Sequence, residues 1–254
     1  MRDVLGIARA NRHTADRIAA ALLAADPRFA RTADGRWTAA VLDVESPPLD
    51  ACRFAVVDVE TTGVRASRGD RIIEIAVVRL DGSVAFHSLV NPGIPLPPFV
   101  QRLTGIAPSL VSEAPSFDAI ADAVLEALTG CIFVAHNARF DWHFVSSEVA
   151  RTRHLVLQGP RVCTVRLARR LLPDLPRRNL DSVSDHFGIE IEGRHRATGD
   201  AVAAAKCLTR LLSLAKENGA VCLADLEQTR KAEVGTRNRT ADRSAFRVPR
   251  STLP

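Results

Sequence analysis

The sequence has few aromatic residues and no pattern of paired cysteines. It contains no tyrosine, one methionine and aromatic residues at only 5% of its 254 positions. The five cysteines are scattered without a CxxC pair, and this odd count at irregular spacing argues against a disulfide framework and against a zinc site. No apolar run approaches the ~20 residues of a membrane span, and the N-terminus lacks the pattern of a secretory signal. We therefore expect a cytoplasmic protein with reduced thiols and no membrane partner.

Residues 1–229 carry no net charge. The chain carries 34 basic and 29 acidic residues, which gives a net charge of +5. Residues 230–254 contain seven of the basic and two of the acidic side chains, so this segment accounts for the whole excess and leaves 27 of each sign in residues 1–229. We expect a flexible basic tail that offers accessory contacts to a polyanion. The balanced body excludes a protein covered with basic residues for general nucleic-acid binding.

The composition does provide for one full domain and a smaller one. Hydrophobic residues make up 46% of the chain and charged residues 25%, as in average globular proteins. We divide the chain into a small N-terminal unit (1–46), a larger domain (53–215), and a short helix with the basic tail (216–254). Helical patterns over 3–10 and 14–25, followed by a two-stranded turn, make the first unit α+β. It resembles part of a winged helix-turn-helix that binds nucleic acid or a partner, and the alternative is a helical cap on the larger domain.

The larger domain has the pattern of an α/β fold. Short apolar, β-branched runs separated by turn signals indicate buried strands, and apolar residues at helical spacing indicate amphipathic helices. Strands are predicted over 54–59, 71–80, 84–90 and 131–135, and helices over 117–128, 140–151, 164–172, 180–187, 198–214 and 223–230. Three leading strands with a hairpin, followed by alternating helices and strands, predict a mixed sheet flanked by helices.

Two acidic residues end the first of these strands. Asp58 and Glu60 follow a continuous apolar run that begins at Phe54. Residues two apart on a strand project to the same face, so both carboxylates point together. Adjacent carboxylates repel each other unless a cation lies between them, and Mg²⁺ and Mn²⁺ favour carboxylate oxygens. The pair therefore indicates a divalent metal site. The turn Thr61-Thr62-Gly63 that follows can offer backbone N–H groups to phosphate or sugar.

Three later residues are ambiguous when each is taken alone. Asp141 follows the strand 131–135, where an acid in the first turn of a helix is ordinarily explained by the helix dipole. Asp200 has the same position in the last long helix, and an isolated His195 fits a surface or structural histidine. The chemical interpretation depends on these segments occurring in one chain, in this order, after the first acidic pair.

Together the three segments resemble the motifs of the DEDDh family of 3′→5′ exonucleases, which includes the proofreading epsilon subunits of bacterial DNA polymerase III. The first segment is DVETTG at 58–63, the second is HNARFD at 136–141, and the third is the HxxxxD spacing from His195 to Asp200. The resemblance covers about residues 54–213, and no motif position is substituted. Further matches are RIIEI at 71–75, LTGI at 103–106 and Asn179-Leu180-Asp181.

The resemblance implies an RNase H-like mixed sheet and a nuclease that uses two divalent ions, Mg²⁺ or Mn²⁺. Asp58, Glu60 and Asp200 would then bind the ions, with Asp58 bridging them, and Asp141 would join directly or through water. His195 would accept a proton from the attacking water, because histidine is neutral near physiological pH. The residues implied to contact substrate are Thr61, Thr62, Leu103, Thr104 and Asn137.

The implied reaction is hydrolysis from the 3′ end of DNA with release of nucleoside 5′-monophosphates, in proofreading or repair. The expected partners are single-stranded or frayed 3′ ends, with DNA favoured over RNA, and a polymerase or repair protein. One alternative is an exoribonuclease of the same family, because the metal site acts on the phosphodiester and tolerates either sugar. Another is a polymerase- or clamp-associated interaction protein with secondary activity, although residues 216–254 lack the paired aromatics of a clamp-binding peptide.

Overall fold

The computed structural model describes residues 12–24, 26, 29–32, 35, 37–39 and 46–227. The helix predicted over 3–10 and the basic tail over 230–254 lie outside the described residues. The chain divides into two compact units, residues 1–46 and residues 47–254. No helix in the described ranges is both long enough and apolar enough to cross a membrane.

The first unit contains a helix and a two-stranded ribbon in its described part. Helix α1 spans Arg12–Leu23, and strands β1 (Phe29–Arg31) and β2 (Trp37–Ala39) pair antiparallel. Gly35 lies in the turn between them with φ 79°, and its carbonyl accepts a hydrogen bond from Nε of Arg31 at 3.1 Å. Helix and ribbon occur in the predicted order, and the likeness to a winged helix-turn-helix stays a prediction.

The second unit is built on a mixed sheet of five strands. These are β3 (Phe54–Thr61), β4 (Ile72–Val78), β5 (Val84–Leu89), β6 (Ile132–Ala135) and β7 (Arg161–Cys163), in the spatial order β5-β4-β3-β6-β7. Strand β4 pairs antiparallel with both β3 and β5, whereas β6 is parallel to β3 and β7 is parallel to β6. The carboxyl ends of β3, β6 and β7 therefore meet at one edge of the sheet.

Helices cover both faces of this sheet. They are α2 (Pro98–Thr104), α3 (Pro108–Ser112), α4 (Phe117–Leu128), α5 (Ala138–Arg153), α6 (Thr164–Leu171), α7 (Leu180–Phe187), α8 (Ala197–Glu217) and α9 (Leu223–Glu227), with 3₁₀ turns at Leu49–Ala51 and Ala66–Arg68. The predicted mixed sheet flanked by helices is confirmed. Strand β7 and helices α2 and α3 are absent from the sequence prediction.

The alternation along β3 assigns its side chains to two different cores. Val56 lies in the core formed with α6, α7 and α8, whereas Val57 lies in the core formed with α4 and α5. Because the strand period is two, Asp58 projects to the same side as Val56, toward α8. Helix α8 faces the sheet with small side chains, including Ala201 and Ala204, which are at most 2% exposed. Small residues let this helix approach the acidic end of β3 closely.

The segments on either side of the sheet domain pack together. The backbone amide of Leu223 donates to the carbonyl of Pro47 at 3.0 Å, and the amide of Leu49 donates to the carbonyl of Val221 at 3.0 Å. Leu49 and Leu223 belong to the same hydrophobic core as Val56. Residues 47–52 and 220–227 are therefore part of the sheet unit.

Candidate active site

The first two acids lie at the end of β3, next to an irregularity in the sheet. Strand β3 is buried from Phe54 onward, and Asp58 and Glu60 are the two positions of the strand that are partly exposed. The pairing of β3 with β4 shifts register between Glu60 and Thr61. A β-bulge of this kind bends the strand and changes where side chains point. The apolar run thus holds both carboxylates at the rim of a rigid sheet.

Asp200 reaches the same place from the first turn of α8. It is 4% exposed, and its backbone amide donates to the carbonyl of Arg196 at 3.0 Å. One oxygen from each of Asp58, Glu60 and Asp200 lies within 4.8 Å of the other two. The neighbouring Gly199 is required by close packing, because a Cβ there would lie 1.9 Å from the carbonyl oxygen of Glu192.

Asp141 approaches from α5, the helix that follows β6. It is 3% exposed, and its carboxyl accepts hydrogen bonds from its own backbone amide and from that of Val59 on β3. Asn137, just before the helix, adopts φ 83°, a left-handed conformation that Asn tolerates better than most residues. Asp141 adds its charge to that of Asp58 but lies outside the group of three carboxylates.

All four carboxyl groups have raised pKa values because the surrounding protein removes most of the water around them, even at the partly exposed Asp58 and Glu60, and because they lie near one another. Burial, followed by the charges of Asp141, Glu60 and Asp200, raises the pKa of Asp58 well above its usual range. Burial and neighbouring carboxylates, Asp200 foremost, raise the pKa of Glu60 to about 8. Burial raises the pKa of Asp141 to about 8 and also raises that of Asp200. A cation placed among the oxygens of this cluster reduces the repulsion between the carboxylates and so stabilises their ionised forms.

A guanidinium group offsets part of this repulsion. Nη1 of Arg194 donates to Oδ2 of Asp200, while Nε and Nη2 of Arg194 donate to the two oxygens of Asp181 at 2.7 and 3.2 Å. The charge of Arg194 opposes the raised pKa values of Asp58 and Glu60. Neither Arg194 nor Asp181 is among the predicted site residues, although Asp181 lies in a supporting motif match.

His195 lies beside these groups with an unusual backbone. Its φ is 62°, in the left-handed region, and its ring is partly exposed. Nδ1 of the ring lies 3.3 Å from Nη1 of Arg194, and the backbone amide of His195 hydrogen-bonds to the carboxylate of Asp200. The strained backbone therefore holds the imidazole at the margin of the acidic cluster.

A further buried acid, Glu74, holds the segment after His195 in place. Glu74 lies opposite Glu60 on β4 and is fully buried. Its carboxylate accepts hydrogen bonds from Nη2 and Nε of Arg196 at 2.7 and 3.0 Å and from the backbone amide of Ala197 at 3.0 Å. Burial works against ionisation, but these hydrogen bonds prevail and lower the pKa of Glu74. The sequence placed Glu74 only in a supporting motif.

The donor set of the cluster suits a divalent cation. Oδ1 of Asp200 is buried and has no hydrogen-bond partner among the described residues, although an unpaired carboxylate oxygen is costly to bury. Asp58 and Glu60 each bring an oxygen into the same 4.8 Å neighbourhood. Hard cations such as Mg²⁺ and Mn²⁺ prefer such oxygens. The residues present therefore fit these ions.

The residues predicted to contact substrate differ in whether their side chains are exposed to a ligand or already bonded within the protein. Thr62 is 2% exposed, and its hydroxyl accepts a hydrogen bond from the backbone amide of Arg71 at 2.9 Å. Thr104 is 5% exposed, and its hydroxyl bonds within its own helix end. The Thr61 hydroxyl donates to the carbonyl of Gly63 at 2.5 Å. These three side chains stabilise local turns in this structure.

Leu103 and Asn137 are exposed, in contrast to the threonines. Leu103 is 52% exposed on α2, a helix that packs with Leu96 and Ile106 around Ile73 of β4. Asn137 is exposed at the start of α5, four residues before Asp141. Both side chains are available to a ligand, and their contact with substrate stays a prediction.

Comparison with known proteins gives a consistent result. A family model described as "Exonuclease" matches residues 55–208. The chain is 36% identical over 169 residues to a DNA polymerase III of the PolC type from Caldanaerobacter subterraneus, a match that covers 65% of this chain and 12% of that protein. It is 31% identical over 162 residues to the DNA polymerase III subunit epsilon of Aquifex aeolicus, covering 63% of this chain and 80% of that one.

The fold is also similar to that of a solved nuclease. The structure of exonuclease X in complex with 5′ overhanging duplex DNA superimposes with a TM-score of 0.53 at 24% identity, over 69% of this chain and 99% of that one. This likeness confirms the predicted fold. The chain spans only about an eighth of the PolC-type relative, so activities of that whole protein do not transfer with the match.

Proposed function

Because this chain belongs to the exonuclease family, we propose that it hydrolyses DNA from the 3′ end with the help of divalent metal ions and releases nucleoside 5′-monophosphates. Family membership makes the chain a nuclease, and its motifs correspond to the DEDDh exonucleases. The observation that carries the finer proposal is the convergence of Asp58, Glu60 and Asp200 within 4.8 Å, with Asp141 adding its charge and His195 bonded through its backbone to Asp200.

Asp58, Glu60 and Asp200 would hold two Mg²⁺ or Mn²⁺ ions, and Asp141 would join them directly or through water. When bound, such ions neutralise the phosphate and stabilise the attacking and leaving oxygens of an in-line displacement. The unpartnered Oδ1 of Asp200 and the raised pKa values of Glu60 and Asp141 support this assignment. The protein contributes a rigid arrangement of ligands from one strand and two helix beginnings.

His195 is the group placed to move a proton. A water oxygen attacks the terminal phosphorus, the bond from phosphorus to the 3′ oxygen of the preceding nucleotide breaks, and the shortened strand leaves with a 3′ hydroxyl. The imidazole of His195 would accept the proton from the attacking water, and the departing 3′ oxygen would take a proton from solvent to become the hydroxyl. The hydrogen bonds of Glu74 to Arg196 and Ala197 fix the chain directly after His195, which supports this geometry.

DNA is the proposed substrate and a polymerase or repair protein the proposed partner. The relative from Aquifex aeolicus is named as a subunit of DNA polymerase III, and the match covers 80% of that protein. A similarly folded nuclease has been solved with duplex DNA. We infer that frayed or single-stranded 3′ ends enter the site, because an unpaired terminal nucleotide can leave the duplex without the cost of breaking a base pair.

A gel assay with end-labelled oligonucleotides tests this proposal. The substrates are single-stranded DNA, duplex DNA with and without a 3′ mismatch, and RNA of the same sequence, each with Mg²⁺, Mn²⁺ or a chelator. A ladder of 5′-labelled products shortened from the 3′ end, seen only with metal, is the expected result. The variants Asp58→Asn and Glu126→Gln form a matched pair, because both neutralise an acid but Glu126 is exposed on α4.

Each outcome of this assay has a distinct meaning. Loss of the ladder in Asp58→Asn but not in Glu126→Gln supports the metal-ligand assignment. Hydrolysis that persists in the chelator contradicts the metal-dependent mechanism. Preferential degradation of RNA contradicts the DNA assignment while leaving the chemistry of the site intact.

A further inference from the structure

A second concave surface is lined by Phe140 and Trp142, the chain neighbours of Asp141, and its charge is opposite to that of the acidic cluster. This groove, with a volume of about 930 Å³, begins at Val64 and Asn137, which follow the first acidic segment and precede Asp141. It continues past Trp142 to Arg169 on α6. We call it the arginine groove after the residues described next.

Among the described residues, four arginines and no acidic residue line the groove. They are Arg139, Arg161, Arg166 and Arg169, and His143 is the fifth basic lining residue. All four arginine residues are exposed, and none makes an ion pair with a described residue. Arg194 and Arg196 of the same unit are, in contrast, paired with carboxylates. An unpaired cluster of like charges costs stability unless a ligand neutralises it.

The groove arginines lie on ordered secondary structure. The Arg161 guanidinium carbon is 4.6 Å from the ring centroid of Trp142, and that ring packs edge-on against Phe133 at 5.1 Å. Arg166 and Arg169 are three residues apart on α6, a spacing that places side chains next to each other on one helix face. Stacking and helix spacing thus preorganise three guanidinium groups along one wall.

We propose that the arginine groove binds the phosphate backbone of the substrate strand, internal to the 3′-terminal nucleotide that occupies the acidic cluster. The assignment rests on the proposed nuclease function. Guanidinium groups match phosphate oxygens in shape and charge, and the lining from the described part of the chain brings no carboxylate that would repel a phosphate. An acidic peptide offers similar charge, but Phe140 and Trp142, which flank Asp141 in the chain, line the groove, and this proximity to the proposed hydrolytic site favours nucleic acid.

Equilibrium binding of labelled single-stranded DNA tests the groove without requiring hydrolysis. The full-length protein is titrated in a chelator by fluorescence anisotropy at several salt concentrations, and the double variant Arg166→Gln/Arg169→Gln is compared with the parent. Each lost phosphate contact lowers the log–log salt slope by about 0.7 for a single strand, so we expect a decrease of about 1.4. If both proteins bind equally at 1 M salt, a decrease of about 1.4 in the slope makes the variant bind roughly 25-fold more weakly than the parent at 0.1 M salt.

A second double variant controls for loss of positive charge in general. Arg53 and Arg210 are exposed and without ion pairs to described residues; Arg53 precedes β3 at the end opposite the acidic cluster, and Arg210 lies late in α8. We expect Arg53→Gln/Arg210→Gln to keep the salt slope of the parent. Both variants retain residues 228–254, so the contribution of the basic tail cancels.

Three results would overturn the assignment. The first is an unchanged salt slope in the groove variant. The second is an equal decrease in both double variants, which makes the effect a general loss of charge. The third is a larger effect of the groove variant on binding of a polyglutamate peptide than of DNA. Hydrolysis of the p-nitrophenyl ester of thymidine 5′-monophosphate is measured separately, because failure there contradicts the proposed activity while the binding comparison still decides the groove.

Discussion

Neutralising Glu60 should stabilise the metal-free protein at alkaline pH. The pKa of Glu60 is raised from 4.5 to about 8, so the folded state binds this proton more tightly than the unfolded state. Between pH ~4.5 and pH ~8 the unfolded chain has lost the proton and the folded protein retains it, and stability therefore falls as pH rises, by up to 1.36 kcal/mol per unit. Above pH ~8 Glu60 is ionised in both the folded and the unfolded state, and the whole loss of stability is present.

The size of the effect follows from that shift. About 3.5 units correspond to at most about 5 kcal/mol, and roughly half of this is a realistic expectation because Asp200 and Glu74 share the repulsion and such energies are not additive. Glu60→Gln keeps the shape of the side chain but cannot ionise. In a chelator we expect it to exceed the parent in stability by about 2–3 kcal/mol at pH 9 and to match it near pH 4. For a domain of this size that is on the order of 5–10 °C in Tm.

Thermal unfolding followed by circular dichroism from pH 4 to pH 9 measures this difference, with Glu126→Gln as the exposed control. Adding Mg²⁺ or Mn²⁺ at about 1,000 times its Kd for the parent should reverse the order at pH 9, because a ligand that binds only the folded state then stabilises it by about 4.1 kcal/mol, and the variant lacks one of the ligands. A parent protein with a flat stability from pH 5 to pH 9 in chelator, or a Glu60→Gln variant without any gain at pH 9, would refute the electrostatic reasoning.

Four further expectations concern other parts of the chain. Asp200→Asn should abolish turnover but leave the circular dichroism spectrum unchanged, and near-normal Mg²⁺-dependent hydrolysis would contradict its role as a metal ligand. His195→Ala should lower kcat by about 10²–10⁴-fold, as measured with single-stranded DNA, if its imidazole takes the proton. Glu74→Ala should destabilise the protein by about 2–4 kcal/mol in urea unfolding, because Ala197 N–H and the Arg196 guanidinium lose their partner, and Glu74→Gln should lose less. Deleting 231–254 should weaken DNA binding mainly at low salt, and equal affinity at low salt would contradict a contribution of the tail.

The sequence predicts the acidic pair on β3 well and the rest of the site less directly. Asp58 and Glu60 share a face because strand geometry alone places residues two apart together. The proximity of Asp141 to Val59 depends on β6 pairing parallel to β3, which no local pattern reveals. The roles of Arg194 and Glu74 depend on contacts between segments distant in the chain, such as Glu74 with Arg196. Such contacts follow from topology, so the sequence indicated Glu74 only through a supporting motif match and did not indicate Arg194 as a site residue.

Local signals explain the elements that the sequence analysis did not include. Strand β7 has three residues and follows Gly159 and Pro160, so it is too short to show a periodic pattern. Helices α2 and α3 lie in a proline-rich stretch that reads as a loop. Each begins with a proline, Pro98 or Pro108, in the position where a missing N–H is harmless. The arginine groove was hidden because a balanced total charge says nothing of how the charges are distributed.

The position of α8 in the chain has a consequence for how the protein acquires its site during synthesis. Asp58 and Asp200 are 142 positions apart, so at ~5–20 residues per second β3 leaves the ribosome roughly 10–30 s before α8 is available. Until then the growing chain contains the acids of β3 and α5 but not Asp200 of α8. The electrostatic repulsion that Asp200 adds to the cluster therefore arises only at the end of synthesis. A chain interrupted before residue 200 carries β3 and its acids but lacks Asp200, so under the proposed function incomplete products would not hydrolyse nucleic acid.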